Sequence, residues 1–276
     1  MKSNGVGNIV KVWAIANQKG GVAKTTTVVT LAGHLAAKGL RCLLIDFDPH
    51  GSLTSYFKQD PDSLEMSGYN LFQMHHLSSS NQIRDLILQT EVEGIDFIPA
   101  SISMATLDRQ LGVQEGKGLV LKKTVDLLAN EYDYILIDCP PVLGVLMVNA
   151  LAACNHVLVP VQTEFLALKG LERMHNTLKM IFKAGHSHVS FTIVPVMFDR
   201  RTRASIDSLQ ALREKYGAEL WQGVIPVDTS FRMASQKGLP LSTISPSARG
   251  SKAYAELLEV LINPNSQPDL KLVRNE

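Results

Sequence analysis

Cysteine is scarce in this chain of 276 residues: Cys42, Cys139 and Cys154 are odd in number, widely spaced and form no metal-type pair. That pattern excludes a disulfide framework and a zinc site, and it fits a reducing compartment. Charge of one sign is lacking too. The formal net charge is +1, so no global field draws the chain to nucleic acid or an anionic membrane, and any such attraction has to come from a local patch. The first eight residues, Met1 to Asn8, are polar and contain glycine, with no apolar stretch resembling a signal peptide. One run, Val142 to Val161, is apolar enough to resemble a membrane span. It carries Asn149, Asn155 and His156, and reads better as a short helix followed by a buried strand ending at Pro160. No internal repeat and no domain-splitting linker is visible. What is present is a globular balance, 45% hydrophobic and 19% charged, sufficient for one large domain.

Apolar runs of strand length alternate with longer segments of helical period. The strand-like runs are Val10–Ala16, Cys42–Asp46, Ile95–Ile98, Tyr134–Asp138, His156–Val161, Ser190–Val196 and Leu220–Ile225. Helical patterns lie at about 25–38, 82–90, 103–111, 119–131, 144–153, 165–183, 202–216 and 247–262. Near-continuous apolar strands between helices predict an α/β fold, a mainly parallel twisted sheet with helices on both faces. Gly39 stands where a C-terminal cap would stop the first helix. The polar stretch Gln59–Asn81, with His75-His76, reads as a surface insertion. The expected organisation is one domain over 1–262 and a polar tail over 263–276.

The strongest signal is Lys19-Gly-Gly-Val-Ala-Lys-Thr-Thr26, between an apolar strand and a helix start. Gly20 and Gly21 let backbone N–H groups turn toward a ligand without a Cβ in the way, and the helix that follows points its positive end at the same anion. In such a phosphate loop Lys24 lies along the β- and γ-phosphates, and the Thr25 hydroxyl ligates magnesium. The ordinary G-x-x-x-x-G-K-[ST] pattern is not met, since it requires glycine at Gln18 and Ala23. If the backbone at Ala23 needs a positive φ, its methyl costs roughly 1–2 kcal/mol. A glycine turn that binds nothing is the bland alternative, and the two flanking lysines with two threonines weigh against it.

Ligands of open parallel sheets gather at the carboxyl ends of the strands. Asp46 and Asp48 end the second strand, two residues apart and so expected on one side of it. Asp138 ends Tyr134-Ile-Leu-Ile-Asp-Cys-Pro-Pro141, a run of the kind that holds magnesium through water. Each aspartate taken singly is equally consistent with a helix N-cap.

The K-G-G-x-x-K-T-T arrangement resembles the deviant phosphate loop of the ParA/MinD family of P-loop ATPases. Further segments share the likeness: Asp46-Phe-Asp-Pro-His-Gly51, Asp138-Cys-Pro-Pro141, Val159-Pro-Val-Gln-Thr-Glu-Phe-Leu-Ala-Leu-Lys-Gly-Leu171, Ile225-Pro226 and Ser247-Ala-Arg-Gly-Ser-Lys-Ala-Tyr254. The resemblance covers roughly 10–262. It implies ATP and Mg2+ as ligands, held by the loop from Lys19 through Gly20, Gly21, Val22, Ala23, Lys24, Thr25 and Thr26, with Pro226 beside the adenine. It further implies that Asp48 positions the attacking water, that Asp46 and Asp138 support the magnesium with Thr25, and that Lys19 reaches the partner's phosphates in an ATP-sandwiched homodimer. Hydrolysis is then slow without a partner, and the protein acts as a cytoplasmic timer with a stimulating or cargo adaptor protein.

Departures bear on the cargo. Partitioning members have R-N-V-R after the Ile-Pro, where this chain has Val227-Asp-Thr-Ser230. Arg200, Arg201 and Arg203 match a region that contributes a DNA-contacting arginine, and three arginines at a helix start can equally be a solvated terminus or a protein patch. The tail offers no amphipathic membrane helix like that of MinD. Asp48-Pro-His-Gly-Ser-Leu-Thr-Ser-Tyr-Phe57 is most similar to the ParC group, associated with polar placement of chemotaxis arrays. Nonspecific DNA partitioning is the rival reading. A metabolic member, an amidoligase or a nitrogenase-like reductase, is a second rival, and the reductase needs interface cysteines.

Overall fold

The apolar runs become strands buried on both faces. The computed structural model describes residues 10–74, 77–111, 117–183 and 189–263. Its strands are β1 (Lys11–Ile15), β2 (Cys42–Asp46), β3 (Leu88–Gln89), β4 (Ile95–Ile98), β5 (Tyr134–Asp138), β6 (His156–Gln162) and β7 (Ser190–Val196). They form one sheet in the order β3-β4-β2-β5-β1-β6-β7, and every pairing is parallel except that of β3 with β4. The helices are α1 (Lys24–Ala37), α2 (Ser52–Tyr56), α3 (Gly68–Gln73), α4 (Asn81–Arg84), α5 (Leu107–Leu111), α6 (Val120–Leu128), α7 (Val145–Ala153), α8 (Phe165–Lys183), α9 (Arg203–Tyr216), α10 (Ser230–Lys237), α11 (Leu241–Ile244) and α12 (Arg249–Ile262).

Alternation along each strand splits the core in two. Val12, Ala14, Leu43, Ile45, Ile135 and Ile137 face a cluster with α6, α7 and α8, among them Val125, Leu146 and Met174. Trp13, Ile15, Leu44 and Leu136 face α1 and α12, where Val28, Leu31, Tyr254 and Leu257 are buried. The expected single α/β domain with helices on both faces is what forms. Val142–Val161 resolves into α7 and most of β6, and no helix among the described residues is long and apolar enough to cross a membrane. Gly39 ends α1 with φ 77° and donates to the Ala36 carbonyl at 2.8 Å.

Three expectations need correction. Leu220–Ile225 is no regular strand. It meets β7 through one isolated bridge, Leu220 with Ile193, and a second bridge, Pro226 with Phe198, lies just past both segments. Pro195 of β7 has no N–H to give, and its carbonyl accepts from Ile225 at 2.8 Å, so Gln222 and Gly223 bulge out of the ladder. The helix at 82–90 stops at Arg84, and β3 follows; Thr90 turns the chain by bonding the carbonyls of Val92 and Ile95. The stretch 59–81 is more than a loop, since α3 has a capping box between Ser67 and Asn70 and buries Leu71 and Phe72 in the core. His75-His76 and residues 264–276, nearly all of the expected tail, lie outside the described residues.

Candidate functional site

The ends of β1, β2 and β5 meet because parallel register aligns them. Ile15 and Asp46 both pair with Asp138. From Ile15 the chain turns through 16–23 into α1. Asn17, buried, fastens this turn: its Nδ2 donates to the Pro160 carbonyl at 2.8 Å and its Oδ1 accepts from the Lys19 amide at 3.0 Å. Pro160 lies in β6 past Leu158, the last residue that pairs with β1, so its missing N–H breaks no ladder there.

Gly21 and Ala23 both take left-handed backbone, φ 72° and 63°. The positive φ conjectured at Ala23 is therefore real, and the methyl bears its cost. Gly20 and Gly21 have nothing within 4 Å of where a Cβ would sit, so their faces are open to a ligand. Ala23 is the N-cap of α1 and gives it no side-chain hydrogen bond, and the first turn holds no acidic residue. A fourteen-residue helix thus begins with donors left for a ligand, beside a buried ammonium. That ammonium belongs to Lys24, whose Nζ lies 3.4 Å from the Lys19 carbonyl.

Below the loop sit two buried carboxylates. Asp138 accepts from the Thr25 hydroxyl at 2.5 Å through Oδ2, while its Oδ1 is buried with no partner. Asp46 accepts from the Thr54 amide at 2.8 Å, the Thr54 hydroxyl at 2.7 Å and the Asp48 amide at 3.3 Å. Burial pushes both carboxyls up. Asp46 rises to about 7 against the lowering bonds of Thr54. Asp138 rises well above the usual range through burial and then its neighbour Asp46, opposed by Thr25 and Lys24. No group of three or more His, Cys, Asp or Glu among the described residues is placed to hold a metal alone. The orphan oxygen, the Thr25 hydroxyl and the two raised carboxyls form an all-oxygen set that fits a hard divalent cation completed by ligand oxygens.

Asp48 lies past the end of β2, and its largely buried carboxylate accepts from the His50 amide at 3.1 Å and from His50 Nδ1 at 2.7 Å. Asp48, His50 and Met197 line a cavity of about 540 Å3 together with the loop from Gly20 through Val22 and Ala23 to Thr26. Asp46 is sealed beneath. Pro226 belongs to a neighbouring cavity of about 500 Å3, shared with Phe198, Asp228, Arg200 and Arg201. Adjacent residues Met197 and Phe198 thus serve one cavity each.

Lys19 does not extend freely from the loop. Its Nζ pairs with the Glu164 carboxylate and touches Gln162 Oε1 at 3.4 Å, both just past the core of β6 in the same chain. Of the three arginines, Arg201 is clasped by Asp199 through Nε at 2.9 Å and Nη2 at 2.8 Å, which holds the Asp199 carboxyl down at about 2. Arg203 is 92% exposed. Asp228, inside the segment that departs from R-N-V-R, accepts from the Ser230 amide at 2.9 Å and the Gly250 amide at 3.0 Å. Cys139 and Cys154 are buried, and burial pushes the Cys154 thiol up to about 12, which leaves neither as a thiolate ligand at an interface.

Asn17, His50, Thr54 and Glu164 escaped the sequence reading. Asn17 had a signal, a polar residue closing an apolar run. Glu164 had none, because 145 residues separate it from Lys19.

Three comparisons bear on this geometry. A family profile described as an AAA domain matches residues 10–191. The chain is similar to the sporulation initiation inhibitor protein Soj of Bacillus subtilis, 36% identical over 250 residues that span 90% of this chain and 96% of that protein. It is 34% identical to the chromosome partitioning protein ParA of Caulobacter vibrioides over 259 residues, 93% of this chain and 95% of the other. Among solved structures, cobyrinic acid a,c-diamide synthase from Mycobacterium smegmatis with bound ATP analog and magnesium superposes with TM-score 0.79 at 31% identity, covering 92% of this chain and 95% of that one.

Proposed function

Since the chain belongs to the ParA/MinD family of P-loop ATPases, we propose that it is an ATP-driven dimerisation switch that positions a large cargo in the cell. The observation that carries the reading is the uncapped start of α1, with buried Lys24, opening on the same cavity as Asp48 above the orphan oxygen of Asp138. The amides of 20–26 take the phosphates, and Lys24 neutralises the β- and γ-oxygens. Pro226 lies by the adenine, in the cavity reached past Met197 and Phe198. Thr25 and Asp138 hold Mg2+ with support from Asp46; the ion, when bound, offsets charge on the phosphate oxygens. Asp48 accepts a hydrogen bond from the attacking water and aligns it, giving ADP and phosphate. Lys19 is engaged by Glu164 in the single chain; in the dimer it leaves that carboxylate for the partner's phosphates. Hydrolysis by the lone chain is slow on this scheme.

For the cargo we favour a protein assembly, polar chemotaxis arrays, reached through an adaptor protein. Support comes from Asp228, an acidic residue that ties α10 to α12 within the segment where DNA-partitioning members carry arginines, and from Arg201, whose charge Asp199 offsets. Partitioning of chromosome or plasmid DNA is the second reading, favoured by the names of the similar proteins and by exposed Arg203. Asp48→Ala tests the switch: ATP binding persists, hydrolysis falls about a hundredfold and dimer accumulates in sedimentation. Normal hydrolysis by that variant sinks the role of Asp48. Binding of random duplex that depends on ATP and weakens steeply with salt selects the DNA reading.

A further inference from the structure

His50 has no part in the scheme above, and its side chain is 78% exposed while that of Asp48 beside it is 12% exposed. It nevertheless makes a directed contact. Its Nδ1 is 2.7 Å from Asp48 Oδ1, and its backbone amide reaches the same oxygen at 3.1 Å. A carboxylate oxygen only accepts, so Nδ1 carries the ring proton. Both hydrogen bonds to the Asp48 carboxylate among the described residues therefore fall on one oxygen. The other, Oδ2, has none among the described residues and is not one of the sealed partnerless atoms. Asp48 and His50 line the cavity of the phosphate loop together.

Rotation about the last side-chain torsion is soft for a carboxylate, and it exchanges the two oxygens. An oxygen that must align a water within hydrogen-bond reach cannot be allowed that freedom. The backbone amide alone tethers Oδ1 at one point; the imidazole adds a second donor from the exposed side. We propose that His50 is a positioning residue for ATP hydrolysis, holding Asp48 by Oδ1 so that Oδ2 faces the attacking water. This deepens the ATPase reading of the same site and rests on it. The ring, on the solvent side of the carboxylate, touches neither nucleotide nor water in this role.

Steady-state hydrolysis and equilibrium ATP binding, measured on wild type, His50→Ala and His50→Asn, test it. An asparagine amide can occupy the place of Nδ1 and donate to Oδ1. We expect His50→Ala to lower kcat roughly tenfold with KM and ATP affinity within about twofold, and His50→Asn to recover kcat to within about threefold of wild type. Wild type that hydrolyses ATP while His50→Ala matches its kcat overturns the inference and leaves the ATPase reading standing. A joint loss of affinity and kcat in both variants also overturns it, since His50 then contacts the nucleotide itself. Wild type that neither binds nor hydrolyses ATP overturns the ATPase reading, and the inference with it.

Discussion

Loading the site with Mg2+ and ATP should expel a proton, and the proton should come from Asp138. Its carboxyl is raised well above the usual range by burial and by Asp46, and its Oδ1 has no partner. While pH stays below that raised value the empty site holds the proton, which the bound cation displaces. Up to about one proton per site is released, and affinity for the magnesium nucleotide rises about tenfold per pH unit, about 1.4 kcal/mol, while pH stays below the raised value. Titration calorimetry in buffers of low and high ionisation enthalpy, PIPES and Tris, reads the count from the slope of apparent enthalpy. Asp138→Asn keeps the shape and removes the acid, so the difference between the two slopes belongs to Asp138 and not to the phosphates. The same shifts act on the empty protein with a definite sign. A carboxyl raised on folding contributes its stability in full below its unfolded value, about 3.9, and loses it as pH rises through the folded value. For Asp46 that folded value is about 7, three units higher, a ceiling of about 4 kcal/mol lost between about pH 4 and pH 7. Equal slopes in wild type and Asp138→Asn would refute the reasoning.

Lys24→Gln removes the buried ammonium at the start of α1; ATP affinity should fall about 10- to 100-fold in a fluorescent-nucleotide titration, the worth of a charge-assisted hydrogen bond, and an unchanged Kd contradicts the site. Glu164→Gln releases Lys19 from a half-exposed pair, so the urea midpoint should move by less than about 1 kcal/mol while ATP-dependent dimer forms at lower protein concentration; unchanged sedimentation means the pair does not restrain Lys19. Ala23→Gly relieves a left-handed φ of 63°. Strain of about 1–2 kcal/mol less about 0.4–1 kcal/mol of chain entropy leaves a gain of about 0.5–1 kcal/mol in urea unfolding, and a loss would show that the methyl's packing outweighs the strain.

Much was legible in the sequence because it is written locally. Near-continuous apolar runs and helical periods report burial of neighbouring residues, so Tyr134–Asp138, Ser190–Val196 and the helix at 165–183 stand where expected. The phosphate loop was legible for the same reason, since its glycine, lysines and threonines serve one turn of chain. Where local preference had to yield to a neighbouring element, the reading failed. Leu220–Ile225 has a strand's composition but meets Pro195, which cannot donate. Residues 82–90 have a helix's period, yet Leu88 and Gln89 pair with β4 and become the edge of the sheet.

The layered α/β fold, the glycine turn between β1 and α1 and the aspartates that end β2 and β5 were already set in the sequence, because each depends on residues a few positions apart. Only the packed fold leaves Asp138 an orphan oxygen, brings Glu164 to Lys19 and sets Pro226 one cavity away. Those facts depend on the parallel register and on strand ends brought together from distant positions. Hydrogen bonds and desolvation act over a few ångströms of space, with no regard to separation along the chain.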